Sequence, residues 1–152
     1  MRAYYGFLLG GLLLALAVPT QAASARILKV LPHLLDQKGR HTLSPSLFER
    51  DAYQSNLRSN RDMVSALRFD VQWKRGSKSE GKFRMRIETR GGAAGSEPLT
   101  VEEEVKFKGL FTAWSSLSLT REQYLALGGV SAWRATLWRD DEQIDEVKSF
   151  LW

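Results

Sequence analysis

The chain has 152 residues and no cysteine. That length suits one domain with a sizeable core, and the missing thiols exclude a disulfide framework and a lipid-bearing N-terminal cysteine. Twenty-two lysines and arginines against 17 aspartates and glutamates leave a net charge of +5. Such an excess favours anionic partners by steering, yet is common in proteins that have none.

The opening stretch, MRAYYGFLLGGLLLALAVPTQAASA, carries one cation at Arg2, an apolar run over residues 6–18, Pro19, and small residues at Ala22, Ala23 and Ala25. This is the pattern of a secretory signal peptide, and the run is well short of the ~20 residues that cross a bilayer. The expected organisation is therefore a signal peptide over 1–25, cut after Ala22, Ala23 or Ala25, and a single domain over 26–152. That domain is expected to be periplasmic or secreted, without a transmembrane segment once the signal is removed.

In chain order, residues 27–35 are apolar but include Pro32. Proline cannot donate to a ladder, so this is expected to be a first strand at a sheet edge or one that switches sheets. In LSPSLFERDAYQSNLRSN, Ser44-Pro45 is a helix start, and Leu47 or Phe48, Ala52 and Leu57 return at helical spacing. The spacing predicts a short amphipathic helix, or a loop with helical turns, laid over one open end of the sheets, with Glu49, Arg50 and Asp51 close enough for local pairs.

The segment ALRFDVQWK alternates, with Leu67, Phe69, Val71 and Trp73 on one side; KFRMRIETR does the same with Phe83, Met85, Ile87 and Thr89. Period two means strands with one solvated face. The turn at 76–81 between them predicts an antiparallel hairpin. LTVEEEVKFKG follows with Val101, Val105 and Phe107 in phase. Glu103 breaks that apolar phase, which suggests an edge, a bulge or a rim.

SSLSL, around Leu117 and Leu119, is a further short strand. In TREQYLALGG, Thr120 can cap one helical turn that Gly128-Gly129 would end. The final strands are expected at 132–138, with Trp133, Ala135 and Leu137 on one face, and at 144–152, separated by a polar turn over 139–143. Residues 150–152 are expected to finish the last strand against the core or its rim, where burying a large aromatic contributes about 2–3 kcal/mol.

About seven short strands on this length predict an all-β, antiparallel two-sheet sandwich with one short helix between the first and second strands. Tyr124 ahead of a strand bearing Trp133, followed by a closing hairpin, resembles immunoglobulin-like and fibronectin type III modules, which place a tyrosine at the corner entering the penultimate strand. The resemblance covers 67–152 and implies an immunoglobulin-like sandwich. The runs VLPHLLDQKGRHTLSPSLFERDAYQ and SAWRATLW also resemble exported bacterial proteins of uncharacterised function, a likeness that implies no activity.

For chemistry, the only imidazoles are His33 and His41. A Ser-His-Asp hydrolase or a two-His zinc site with Asp36 is conceivable around them, but no Gly-x-Ser-x-Gly elbow or metal-binding spacing accompanies them. Glu102, Glu103 and Glu104 do not converge, because alternation turns Glu103 away; cross-strand neutralisation of the basic strand accounts for them better. Gly91-Gly92 and Gly128-Gly129 lack the surroundings of a phosphate loop and suit turns.

The sharpest binding candidate is the basic face of Lys82, Arg84, Arg86 and Arg90, with Lys74, Arg75 and Lys78 nearby and Trp138 as a stacking aromatic. Outward cations also blunt edge-to-edge aggregation, which is the plainer account of them. The expected function is thus a non-catalytic exported domain without cofactor or metal that binds a protein partner, with an edge strand as one route. The alternative is a module for an anionic envelope glycan or other polyanion; nucleic acid is not expected.

Overall fold

The computed structural model describes residues 25–76 and 80–152. Lys78 and residues 1–24 of the expected signal peptide lie outside these residues; Ala25, the last residue of that expected segment, is the first residue of β1. Seven strands form two antiparallel sheets: β1 (Ala25–Asp36), β2 (Val64–Arg75), β3 (Phe83–Gly91), β4 (Leu99–Val105), β5 (Ala113–Thr120), β6 (Val130–Arg139) and β7 (Glu142–Lys148). One sheet has the order β1-β2-β5 and the other β4-β3-β6-β7. Helix α1 (Leu47–Ser59) lies between β1 and β2, and the short helix α2 (Arg121–Ala126) between β5 and β6.

The alternating residues do what their period requires. Phe69, Val71 and Trp73 of β2, Met85 and Ile87 of β3, Leu117 and Leu119 of β5, and Leu137 of β6 are fully buried between the sheets. Trp73 is the central indole, with ring centroids 5.3 Å from both Phe83 and Phe107. Its Nε1 donates to Ser115 Oγ at 3.0 Å, so the largest apolar surface is buried without stranding its N–H. Trp133 lies on the inward face but is only half-buried, edge-on to Phe69 at 6.1 Å.

The local signals at α2 also act as read. The Thr120 hydroxyl accepts from the Gln123 N–H, and the Gln123 side chain accepts from the Thr120 N–H, a reciprocal capping box. Gly128 and Gly129, at φ 64° and 87°, end the helix. Gly92 N–H donates to Gly129 O and Ala93 N–H to Leu127 O, at 3.0 and 3.1 Å. A Cβ on Gly91 would stand 2.3 Å from Leu127 O. The two Gly-Gly pairs therefore pack the β3-β4 loop against the end of α2.

Three expectations are corrected. First, β2 and β3 do not form a hairpin. Both edges of β2 are taken by β1 and β5, and both edges of β3 by β4 and β6. The connection after Arg75 crosses from one sheet to the other, and Trp73 and Phe83 meet across the interior instead of along a ladder. Two apolar faces of this length each need an opposing layer, and separating the strands supplies it.

Second, α1 turns a different side inward. Its N-cap is Ser46, not Ser44. Gln54 and Leu57 are buried, whereas Leu47, Phe48 and Ala52 are exposed. Gln54 decides the orientation: its side-chain amide accepts from Leu34 N–H at 2.8 Å and donates to the Leu34 and His41 carbonyls at 2.9 and 2.8 Å. The helix satisfies backbone groups along the edge of β1, a requirement that outweighs apolar periodicity.

Third, the chain's last residues do not belong to the core. The β6-β7 turn is tighter than expected, Asp140-Asp141 alone, with Asp140 at φ 53°. Strand β7 stops at Lys148, and Trp152 N–H donates back to Ser149 O at 3.2 Å. That turn breaks the alternation, leaving Phe150 and Leu151 exposed and swinging Trp152 onto the outer face of the four-stranded sheet.

Candidate functional site

The outer face of the β4-β3-β6-β7 sheet gathers Arg84, Arg86 and Arg90 from β3 and Trp138 from β6, as their shared parity requires; Lys82 lies just before β3. The structure adds residues from β4, β6 and the C-terminal turn. Glu102 sits between two cations, its Oε1 accepting from Arg84 Nη1 at 2.8 Å and its Oε2 from Arg86 Nε at 2.5 Å. Arg86 chiefly, with Arg84, holds the Glu102 carboxyl below its ordinary value against the opposing effect of burial. Arg134 forms a two-pronged pair with Glu88, at 2.8 and 2.9 Å, which raises its pKa.

The indoles occupy the remaining faces of these guanidiniums. Arg86 Cζ lies 4.8 Å from the Trp138 ring centroid and Arg84 Cζ 5.9 Å; Trp138 Nε1 donates to Thr136 Oγ1 at 2.9 Å. Trp152 is flanked by Arg90 and Arg134 at 4.2 and 4.9 Å. The face is thus a carpet of alternating rings, guanidiniums and carboxylates in which the arginine donors are already turned on the carboxylates. Lys82, Arg90 and Lys148 are among its exposed cations. Trp152 escaped sequence reasoning because the chain reversal at Ser149 has no periodic signature.

His33 and His41 do come together, on the outer face of the other sheet, with ring centroids 4.7 Å apart. His33 Nε2 is 3.8 Å from Asp70 Oδ2. Asp70 is in turn held by Arg68 at 2.9 Å and by the Ser116 hydroxyl at 2.5 Å. In that chain the carboxylate stands between serine and imidazole, so His33 is not placed to take the serine proton, as a triad requires. Burial, His41 and Arg68 lower the His33 pKa, against Asp70, which raises it.

Asp36 is not part of that group. Its oxygens accept from Lys38 N–H, Arg40 N–H, Arg40 Nε and Tyr53 Oη, all within 2.7–2.9 Å. Burial alone would raise its pKa, but these donors hold the carboxyl far below the usual range. Among the described residues no group of three His, Asp or Glu side chains is placed to hold a metal ion, and no helix is long and apolar enough to cross a membrane.

The four sheet edges differ in how they are covered. Along β4, Glu102, Glu103 and Glu104 are all exposed, and Glu103 lies opposite Met85 as an edge charge. Strand β1 contains Pro32, is bonded by Gln54, and gives its Ile27 N–H to Asp145 Oδ2 of β7 at 2.6 Å. Strand β7 carries Glu142, Asp145, Glu146 and Lys148 and lies against β1. Strand β5, AWSSLSLT, pairs with β2 on one side and has neither a charge nor a proline along it. Leu110 and Phe111, 93% and 84% exposed, precede it, and Trp114 on it is half-exposed.

No family model and no curated protein matches this chain. Among solved structures, a β-glucosidase from Listeria innocua in complex with glucose is similar over 55% of this chain, at 19% identity and a TM-score of 0.35. The match spans 13% of that enzyme's length.

Proposed function

We propose that this chain is an exported, immunoglobulin-like module of the fibronectin type III kind that acts by protein contact, accepting an extended segment of a partner along β5. The sheet order supports the topological part. With the strands lettered A, B, C, C′, E, F and G in chain order, it reads A-B-E over C′-C-F-G, the division such sandwiches use. Buried Tyr124 in α2 stands at the corner that leads into F. Export rests on the pattern of the first 25 residues.

The observation that carries the contact reading is the β5 edge. An edge strand presents unpaired N–H and C=O groups, and proteins ordinarily blunt it with charge, proline or a cover. Here three edges carry such devices on their own residues, whereas β5 carries none and is lined by serines, with Leu110, Phe111 and Trp114 exposed at its start and Glu103, Glu104, Lys106 and Lys108 bordering it across a shallow depression beside Trp114, Ser115 and Ser116. Backbone groups on such an edge supply affinity to an added strand, and side-chain sites beside it supply selectivity. The matching partner segment is extended, with large apolar residues at alternate positions to meet Trp114 and Phe111. The polyanion alternative is weakened by the pairing of Arg84, Arg86 and Arg134 with carboxylates.

Site-specific photocrosslinking tests the proposal. A photoreactive phenylalanine analogue at position 111 or 114 in the exported chain should give one discrete adduct, lost when Ser118→Pro removes an edge donor. The same probe at position 146 should give none. Equal adducts from all three positions, or adducts indifferent to Ser118→Pro in a folded protein, would remove β5 as the contact.

A further inference from the structure

A cavity of about 210 Å³ opens into the sandwich beside the edge of β1, between α1 and the start of β6. Its walls are Leu34, Leu67, Phe69, Val130 and Trp133, joined by Tyr124. That volume has room for about seven water-sized groups at ~30 Å³ each, or a single ring or short chain. Across Pro32 lies a second depression of about 360 Å³, lined by His33, Arg50, Asp51 and Leu31. Pro32, Gln54 and Arg58 line both.

The two spaces differ in chemistry. The inner one is mainly aromatic and aliphatic, with Ser131 and Ser149 also on its wall. The outer one is cationic, since the guanidiniums of Arg50 and Arg58, beside the His33 ring, face a single acid, Asp51, which lies 3.0 Å from Arg50. Arg58 stands at the junction, and among the described residues no carboxylate lies within ion-pair distance of it. An independent feature points the same way. Tyr124 is 95% buried, yet among the described residues its hydroxyl has no hydrogen-bond partner. A buried tyrosine hydroxyl ordinarily finds one, and this side chain lines the chamber.

We propose that the paired cavities are a binding site for a small carboxylate with an apolar body, its ring or chain inside the chamber against Phe69 and Trp133 and its carboxylate at Arg58. The Tyr124 hydroxyl meets a polar substituent on the far side of a ring. Small-molecule sites combine an apolar wall with a few convergent polar groups in this way, and the two spaces together fall in the usual ~300–1,000 Å³ range. The site is on the β1 side of the sandwich and is independent of the β5 edge.

Two probes separate the sources of such a ligand: 4-hydroxybenzoate for aryl acids and octanoate for acyl chains, with 4-hydroxybenzamide and octanamide as uncharged counterparts. Titrated into the isotope-labelled domain, at least one acid should give saturable shifts centred on Phe69, Tyr124 and Trp133. Arg58 is an exposed helix-surface residue, so Arg58→Met should fold. It should weaken the acid about tenfold, the loss of one charge-assisted bond, and leave the amides unchanged. Tyr124→Phe should weaken 4-hydroxybenzoate and not octanoate. No saturable shift with either acid at millimolar concentration, shifts centred elsewhere, or affinity indifferent to Arg58→Met would each overturn the proposal.

Discussion

The ring of Trp152 lies against the guanidinium of Arg90, with 4.2 Å between ring centroid and Cζ, on the outside of a sheet whose inner face is filled by other side chains. The terminal indole is therefore a surface stack, whereas Trp73 is a core residue with no exposure. The two should differ in energetic weight. Trp152→Ala should cost about 1 kcal/mol in a denaturant titration, the scale of an exposed cation–π contact, and Trp73→Ala about 3–5 kcal/mol. Equal losses would place Trp152 in the core after all.

Glu102 is the carboxylate that two arginines share. Glu102→Gln should free Arg84 and Arg86 at a stability cost of about 1 kcal/mol or less for each exposed pair. The variant should elute from a heparin column at higher salt than the parent protein. If both elute together, the pairing is not what restrains the cationic face.

Asp36 binds four donors and is nearly buried. Burial opposes its charge, but the hydrogen bonds from Arg40 and Tyr53 prevail and depress its pKa below the ordinary 3.8. It stays ionised in the fold at pH values where the unfolded chain has taken up the proton. The associated stability is complete above about pH 4 and lost as pH falls further. Asp36→Asn should cost about 3 kcal/mol at pH 7, as an uncompensated buried partner does, and should flatten the acid limb of the stability curve.

His33 acts at a higher pH. Its pKa is lowered from 6.5 by burial first, then by His41, Arg68 and Arg50, against Asp70. The fold therefore favours the neutral ring, so stability is complete above about pH 6.5 and declines as pH falls through and below that value. Thermal unfolding between pH 7.5 and 5 should show the decline, and His33→Gln should reduce it. A profile steeper in the variant would contradict the assignment.

Edge protection by charge predicts opposite effects on the two strands of the β4-β5 side. Replacing Glu103 and Glu104 with threonine should promote concentration-dependent association in light scattering. Ser118→Lys on β5 should suppress whatever association the parent shows. Association unchanged in both would mean that neither edge is available.

The candidate basic face was legible in part. Alternation alone places Arg84, Arg86 and Arg90 on one side of β3. It does not reveal that Glu102 lies across from Arg86, because register depends on which strand becomes the neighbour. The β5 edge was legible only as a strand, since being an edge is a property of the assembled sheet. The chamber beside β1 was not legible, because it is a gap between elements distant in sequence.

From its residue order alone the chain determines which side of each strand points inward, where α2 begins and ends, and that Pro32 belongs on an edge, because side-chain period, capping and a missing N–H are local properties of the backbone. Only the tertiary structure decides that β2 and β3 occupy opposite sheets, that Gln54 turns α1 toward β1, and that Trp152 stacks outside. Those outcomes follow from competition among distant segments for the same apolar faces and unpaired backbone groups, which no single stretch of sequence encodes.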